Sequence, residues 1–131
     1  MIRAEHLRVG NVILYKPYGN KDGEIKTIQG MLGMKAYFDR HSNESGMHHN
    51  LEGIPLTGEW LNKCGFTFHE SVGSHYIAYN GLRLSLTFFR WNPSEGYLQL
   101  DSPFGSTEIR YIHQLQNWFF GLTGQELIIN I

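Results

Sequence analysis

Apolar and polar positions alternate with a period of two along most of this chain, so strands are the first expectation. Val12-Ile13-Leu14-Tyr15 is a β-branched and aromatic run, broken by Pro17 and by Gly19-Asn20-Lys21-Asp22-Gly23. The Asp-Gly pair signals a turn, because glycine takes positive φ without a Cβ clash. Ile25 to Ile28 returns as a second strand, and Gly30 and Gly33 mark the next turn. Met34, Ala36 and Phe38 then alternate with Lys35, Tyr37 and Asp39. Beyond a polar turn at 41–46, Met47, His49 and Leu51 alternate with His48, Asn50 and Glu52. Several short strands within residues 7–54 predict a curled antiparallel sheet, SH3-like in its strand count.

The period changes at Ile54-Pro55-Leu56. Thr57 is placed to cap a short helix, with Glu59 in the first turn and Trp60, Leu61 and Cys64 on one face. Gly65 suits a left-handed cap at its end. Asn80-Gly81 is the preferred pair for a two-residue type I′ hairpin. That turn sets Tyr79 against Leu82 and Ile77 against Leu84. A second turn at 92–96 leads to Tyr97-Leu98-Gln99-Leu100, completing an antiparallel meander. A long helix is expected from about Thr107 to Leu122, with Ser106 as its cap and Ile109, Ile112, Leu115, Phe119 and Leu122 along one stripe. Leu127 to Ile131 reads as a final strand. The expected class is therefore α+β in a single domain, residues 1–131. Its β part covers about 7–54 and its α+β part 55–131.

Composition narrows the function classes. A chain of 131 residues buries roughly two-thirds of its unfolded surface on folding. With 18% charged and 14% aromatic residues, intrinsic disorder is ruled out. The net charge of −1 gives no electrostatic pull toward nucleic acid or anionic membrane. The single cysteine, Cys64, cannot form an internal disulfide. The first six residues lack the apolar core of a signal peptide. The apolar runs fall far short of the ~20 residues that span a bilayer. A cytoplasmic location follows as the expectation.

Four segments carry a family resemblance. They are Leu7-Arg8-Val9-Gly10-Asn11; Ile54-Pro55-Leu56-Thr57 with Glu59-Trp60-Leu61 and Lys63-Cys64-Gly65-Phe66; Tyr111-Ile112-His113-Gln114-Leu115-Gln116-Asn117; and Leu122-Thr123-Gly124 with Glu126-Leu127. In these the chain resembles a family of small uncharacterised proteins common in Bacteroidetes genomes and their phages or mobile elements. Gly58 departs from the pattern, which usually has an acidic residue there. The resemblance implies a stand-alone protein of prokaryotic or phage origin and no particular activity.

Candidate chemistry is sparse. Of the seven histidines, His41, His48 and His49 lie closest together. On a strand, His48 and His49 point to opposite faces, so the pair cannot close on one ion, and no metal site is expected. Cys64 lies beside Leu61 on an apolar helix face, which favours a structural thiol over a nucleophile. The carboxylates are scattered singly, and no glycine loop precedes a helix and lysine as phosphate binding requires. No catalytic residue and no cofactor is expected.

Two features remain. His113, Gln116 and Asn117 stand at i, i+3 and i+4 and share one helix edge. Their amides and imidazole suit peptide, nucleobase or sugar recognition, but the weightier expectation is an internal network tying loops to the helix. Arg83, Phe89 and Trp91 gather around the second turn of the meander, with Phe89 and Arg83 opposite the leucine face. Such a face stacks bases or packs a partner protein, unless a helix covers it. The leading expectation is a non-enzymatic binding or accessory module with a protein partner. Nucleic-acid binding, which the charge does not favour, comes second. A hydrolase built on His113 or the clustered histidines comes last.

Overall fold

Alternation becomes architecture in a computed structural model that describes residues 2–17, 22–38, 45–47, 50–70, 74–79, 82–89, 97–102 and 105–131. The fold is α+β, with antiparallel sheets and two α-helices. The chain divides into two compact units. One comprises Met1–Pro55 with Tyr111–Glu126, and the other Leu56–Arg110 with Leu127–Ile131. The long helix thus belongs with the N-terminal strands rather than with the meander.

In the first unit the expected curled sheet is divided into two three-stranded sheets. Strands β1 (Val12–Tyr15), β2 (Glu24–Thr27) and β6 (Leu51–Glu52) are ordered β2-β1-β6. Strands β3 (Gly30–Leu32), β4 (Lys35–Tyr37) and β5 (Ser45–Met47) are ordered β3-β4-β5. Asp22-Gly23 precedes β2 with Gly23 at φ 75°, and Gly33 turns β3 into β4 at φ 60°. The core gathers Ile2, Leu7, Ile13, Ile28, Phe38 and Leu51, with Tyr15 and Met31 packed against it. Tyr15 and Phe38 meet at 5.0 Å between ring centroids. Gly46 admits that pair, since a Cβ there would lie 2.6 Å from the Tyr15 ring.

The run from Met47 to Leu51, read as one strand, is two. The Asn50 carbonyl accepts the Lys16 N–H at 2.8 Å, and the chain changes sheets on the way. Leu51 then enters the core, whereas Met47 stays on the outer face of β5.

In the second unit α1 (Gly58–Lys63) forms as its caps dictate. The Thr57 hydroxyl accepts the Trp60 N–H at 3.2 Å, and Gly65 follows at φ 86°. Five strands then run in order: β7 (Thr67–His69), β8 (Ser74–Tyr79), β9 (Leu82–Phe89), β10 (Tyr97–Ser102) and β11 (Gly105–Ile109), each pairing with the next. The hairpin register is the expected one, Tyr79 opposite Leu82 and Ile77 opposite Leu84. The turn residues Asn80 and Gly81, and the turn at 92–96, lie outside the described residues.

The long helix, α2, runs Ile112–Thr123 rather than from Thr107. Thr107, Glu108 and Ile109 pair instead with Leu100, Gln99 and Leu98 on β10. The cap is Tyr111, not Ser106, and the Ile112 N–H donates to the Ile54 carbonyl at 3.0 Å. At the other end Gly124 takes φ 72° and returns its N–H to Phe120. Ile112, Leu115 and Phe119 are buried, and α2 packs against β1. The tail 127–131, expected as a strand, lies outside both sheets and the ladder of β7–β11. Its Asn130 N–H donates to the Lys63 carbonyl at 2.8 Å. No helix among the described residues is long and apolar enough to cross a membrane.

Candidate functional site

The polar edge of α2 is spent largely on the chain itself. Gln116 is only 2% exposed. Its Oε1 accepts the Val12 N–H at 2.8 Å, and its Nε2 donates to the Gly10 carbonyl at 2.9 Å. Asn117 Oδ1 accepts from Asn11 Nδ2 at 2.8 Å, and Asn117 Nδ2 donates to the His6 carbonyl at 2.9 Å. Asn11 is fully buried, and its Oδ1 accepts the Arg8 N–H at 2.8 Å. The segment 6–12 enters β1 with backbone groups that no neighbouring strand takes up. The two amides of α2 satisfy them, which removes the penalty of burying them bare. Of the two roles open to this edge, the structural one accounts for Gln116 and Asn117.

Arg8 closes the same cluster. Its guanidinium forms a two-pronged pair with the Glu126 carboxylate, donates to the Gln116 carbonyl at 3.1 Å, and lies 4.5 Å from the centre of the Phe120 ring. Neither Arg8 nor Asn11 nor Glu126 stands out as a site residue in the sequence. Their one signal is that all three fall inside the segments that carry the resemblance.

His113 stands apart from its neighbours on the helix edge. It is 4% exposed, and among the described residues its Nδ1 has no hydrogen-bond partner. Its ring stacks on Tyr111 at 5.7 Å and an interplanar angle of 14°. Burial, and then the nearby His6, push its pKa from 6.5 down to about 4. The imidazole is therefore neutral at pH 7. It lines an open cleft of about 490 Å³ together with Glu5, His6, Arg8, Gln114 and Asn117. Glu5 contacts Arg3 at 3.5 Å on the exposed rim, and Gln114 Oε1 accepts the Tyr111 N–H at 3.1 Å.

The other expected features are placed as follows. Arg83 and Phe89 stand on β9, opposite Ala78 and Tyr97. Trp91, His41, His48 and His49 lie outside the described residues. Among the described residues no group of three or more His, Cys, Asp or Glu is arranged to hold a metal ion. Cys64 is 1% exposed, and burial pushes its thiol up to about 11. A thiol so protonated is a poor nucleophile at neutral pH. Native protein is expected to leave Cys64 unmodified by Ellman's reagent at pH 8, with one thiol appearing on unfolding. Prompt reaction in the native state would contradict that burial.

No family model, curated protein or solved structure matches the chain.

Proposed function

We propose that this chain is a non-enzymatic binding or accessory module, from a phage or mobile-element setting, whose partner is a protein. The supporting observation is the outer face of the sheet β3-β4-β5. Residues opposite one another in a ladder share a face. Met31, Ala36 and Gly46 form one rank, which includes the buried Ala36. Leu32, Lys35 and Met47 form a rank on the opposite face, where Leu32 is 73% and Met47 37% exposed. Met34, in the β3–β4 turn, is 55% exposed. Large aliphatic and thioether side chains on one small sheet are what a partner's apolar surface covers. Lys35 stands in the middle of that rank, and its ammonium lies 5.5 Å from the Tyr37 ring centre. A carboxylate on the partner would complement it.

Charge weighs against the nucleic-acid reading. Arg8, Lys16, Lys26 and Arg110 each pair with a carboxylate of the chain. Cations already neutralised release few counterions on meeting phosphates.

The test is a photo-crosslinker, benzoylphenylalanine, placed at Leu32 and, as control, at the exposed Gln125. Expression in a native host should give one discrete adduct from position 32 and none from 125. The adduct should vanish with Met47→Glu. An adduct made only with a second copy of the chain would replace a foreign partner with self-assembly. No adduct at all would remove this face from consideration.

A further inference from the structure

The sheet of the second unit ends in an open edge. Among the described residues β11 pairs with β10 alone. Its ladder starts at Ser102↔Gly105, across a connection of two residues, so that pair exchanges both of its main-chain bonds. Alternation then turns Gly105, Thr107 and Ile109 toward β10, and the N–H and C=O of Ser106 and Glu108 outward. Just past the strand the same edge is in use, since the Arg110 carbonyl accepts the Leu56 N–H at 3.0 Å. The neighbouring segment leaves there, because α1 starts at Gly58. Neither proline nor lysine, the common protections of an open edge, stands within residues 105–109.

The same unit holds a strand without a sheet. Leu127-Ile128-Ile129 is apolar and mostly β-branched. Leu127 is 5% exposed and Ile128 83%, the alternation of an extended segment with one face covered. The Asn130 N–H donates to the Lys63 carbonyl at 2.8 Å, and the Ile131 N–H to the Ile129 carbonyl at 3.2 Å. Among the described residues these are the only main-chain bonds of residues 127–131.

We propose that Leu127–Ile129 of one copy adds to the β11 edge of a second copy as an antiparallel strand, so that the chain associates with itself. Leu127 and Ile129 stand two apart, as Glu108 and Ser106 do. Leu127 exchanges both main-chain bonds with Glu108. Ile129 does the same with Ser106, its carbonyl oxygen having a second lone pair beside the one that takes Ile131. Ile128 falls between them, opposite Thr107, so two exposed β-branched side chains cover one another. A second copy is the occupant for two reasons. Edge and strand belong to one chain, and in its own unit the segment is engaged at Lys63 instead. Charge also permits the approach. The segment carries none, and Glu108 is already paired with Arg110 at 2.7 Å, so the copies meet without repulsion.

This edge is distinct from the outer face of β3-β4-β5, and the test separates them. Sedimentation velocity of the full chain from about 10 µM to about 1 mM reads the association, and hydrogen exchange locates it. The sedimentation coefficient is expected to rise with concentration. The Ser106 and Glu108 amides should gain protection in step, with Leu32 and Met47 unmoved. Two prolines break the contact from opposite sides. Ser106→Pro deletes an outward N–H and spares the β10 ladder, a position where an edge strand tolerates proline. Ile129→Pro deletes an N–H of the added strand. Each alone should weaken association by about tenfold or more. Mixed in equal amounts the two should regain it, since each supplies the half that the other lacks. The exchange measurement uses the parent chain and stands whether or not either variant folds. The proposal is overturned by a chain that stays monomeric at about 1 mM, or by Ser106 and Glu108 amides whose protection does not change with concentration. A mixture no better than its components, or association that Met47→Glu abolishes, overturns it equally.

Discussion

Gln116→Leu is expected to cost about 2–6 kcal/mol of stability. Leucine nearly matches glutamine in volume, so no large cavity is made. What changes is that the Val12 N–H and the Gly10 carbonyl both lose their partner, where Gln116 now meets them at 2.8 and 2.9 Å. Leaving each group bare costs about 1–3 kcal/mol. Chemical denaturation measures the total, and hydrogen exchange at the Val12 amide locates it. Protection at Val12 should fall by more than at Ile13 or Leu14. A loss under about 1 kcal/mol with Val12 still protected would mean that water replaces the amide and that the cluster contributes little.

Acidification is expected to have the second largest effect. His113 has its pKa lowered to about 4, against 6.5 when unfolded. The unfolded chain therefore binds the proton first as pH falls. The stabilising contribution is complete above about pH 6.5, declines between 6.5 and about 4, and levels off below. Over that interval the loss is roughly 3 kcal/mol for this one ring. His113→Leu should flatten the pH dependence of the melting temperature across the interval while leaving the remaining acid transition in place. A profile identical to that of the parent chain would mean that another group governs the interval.

Much of the fold was legible because local chemistry decides it. Thr57 and Gly65 bracket α1 as their types require. Asn80-Gly81 and the flanking alternation together set Tyr79 against Leu82, two cues with one answer. Legibility failed where one residue satisfies two periods. Ile109 stands three before Ile112, as a helix wants, and two after Thr107, as a strand wants. Only the presence of β10 beside it decides for the strand. The Met47–Leu51 run failed for a related reason, since alternation says nothing about a change of sheet.

The site was legible by half. Gln116 and Asn117 announce a polar edge, but what they bind does not show locally. Gln116 meets Val12 across 104 positions, and Arg8 meets Glu126 across 118. Backbone acceptors such as the His6 and Gly10 carbonyls carry no residue signature at all. The cluster joins Arg8, Asn11 and Val12 to Gln116, Asn117 and Glu126. They are the halves of one hydrogen-bonded clasp.

That clasp has a consequence for how the chain is made. The strands β7–β11 pair each with its neighbour in sequence, so they form from short loops and can do so as soon as they leave the ribosome. The strands of the first unit emerge earlier but cannot be completed then, because Gln116, Asn117 and Glu126 follow their partners by 104, 106 and 118 positions. Until then the backbone around Gly10 and Val12 must find water or a chaperone. Synthesis order and folding order are thereby reversed, since residues 8–12 are translated before β7–β11 and become native after them.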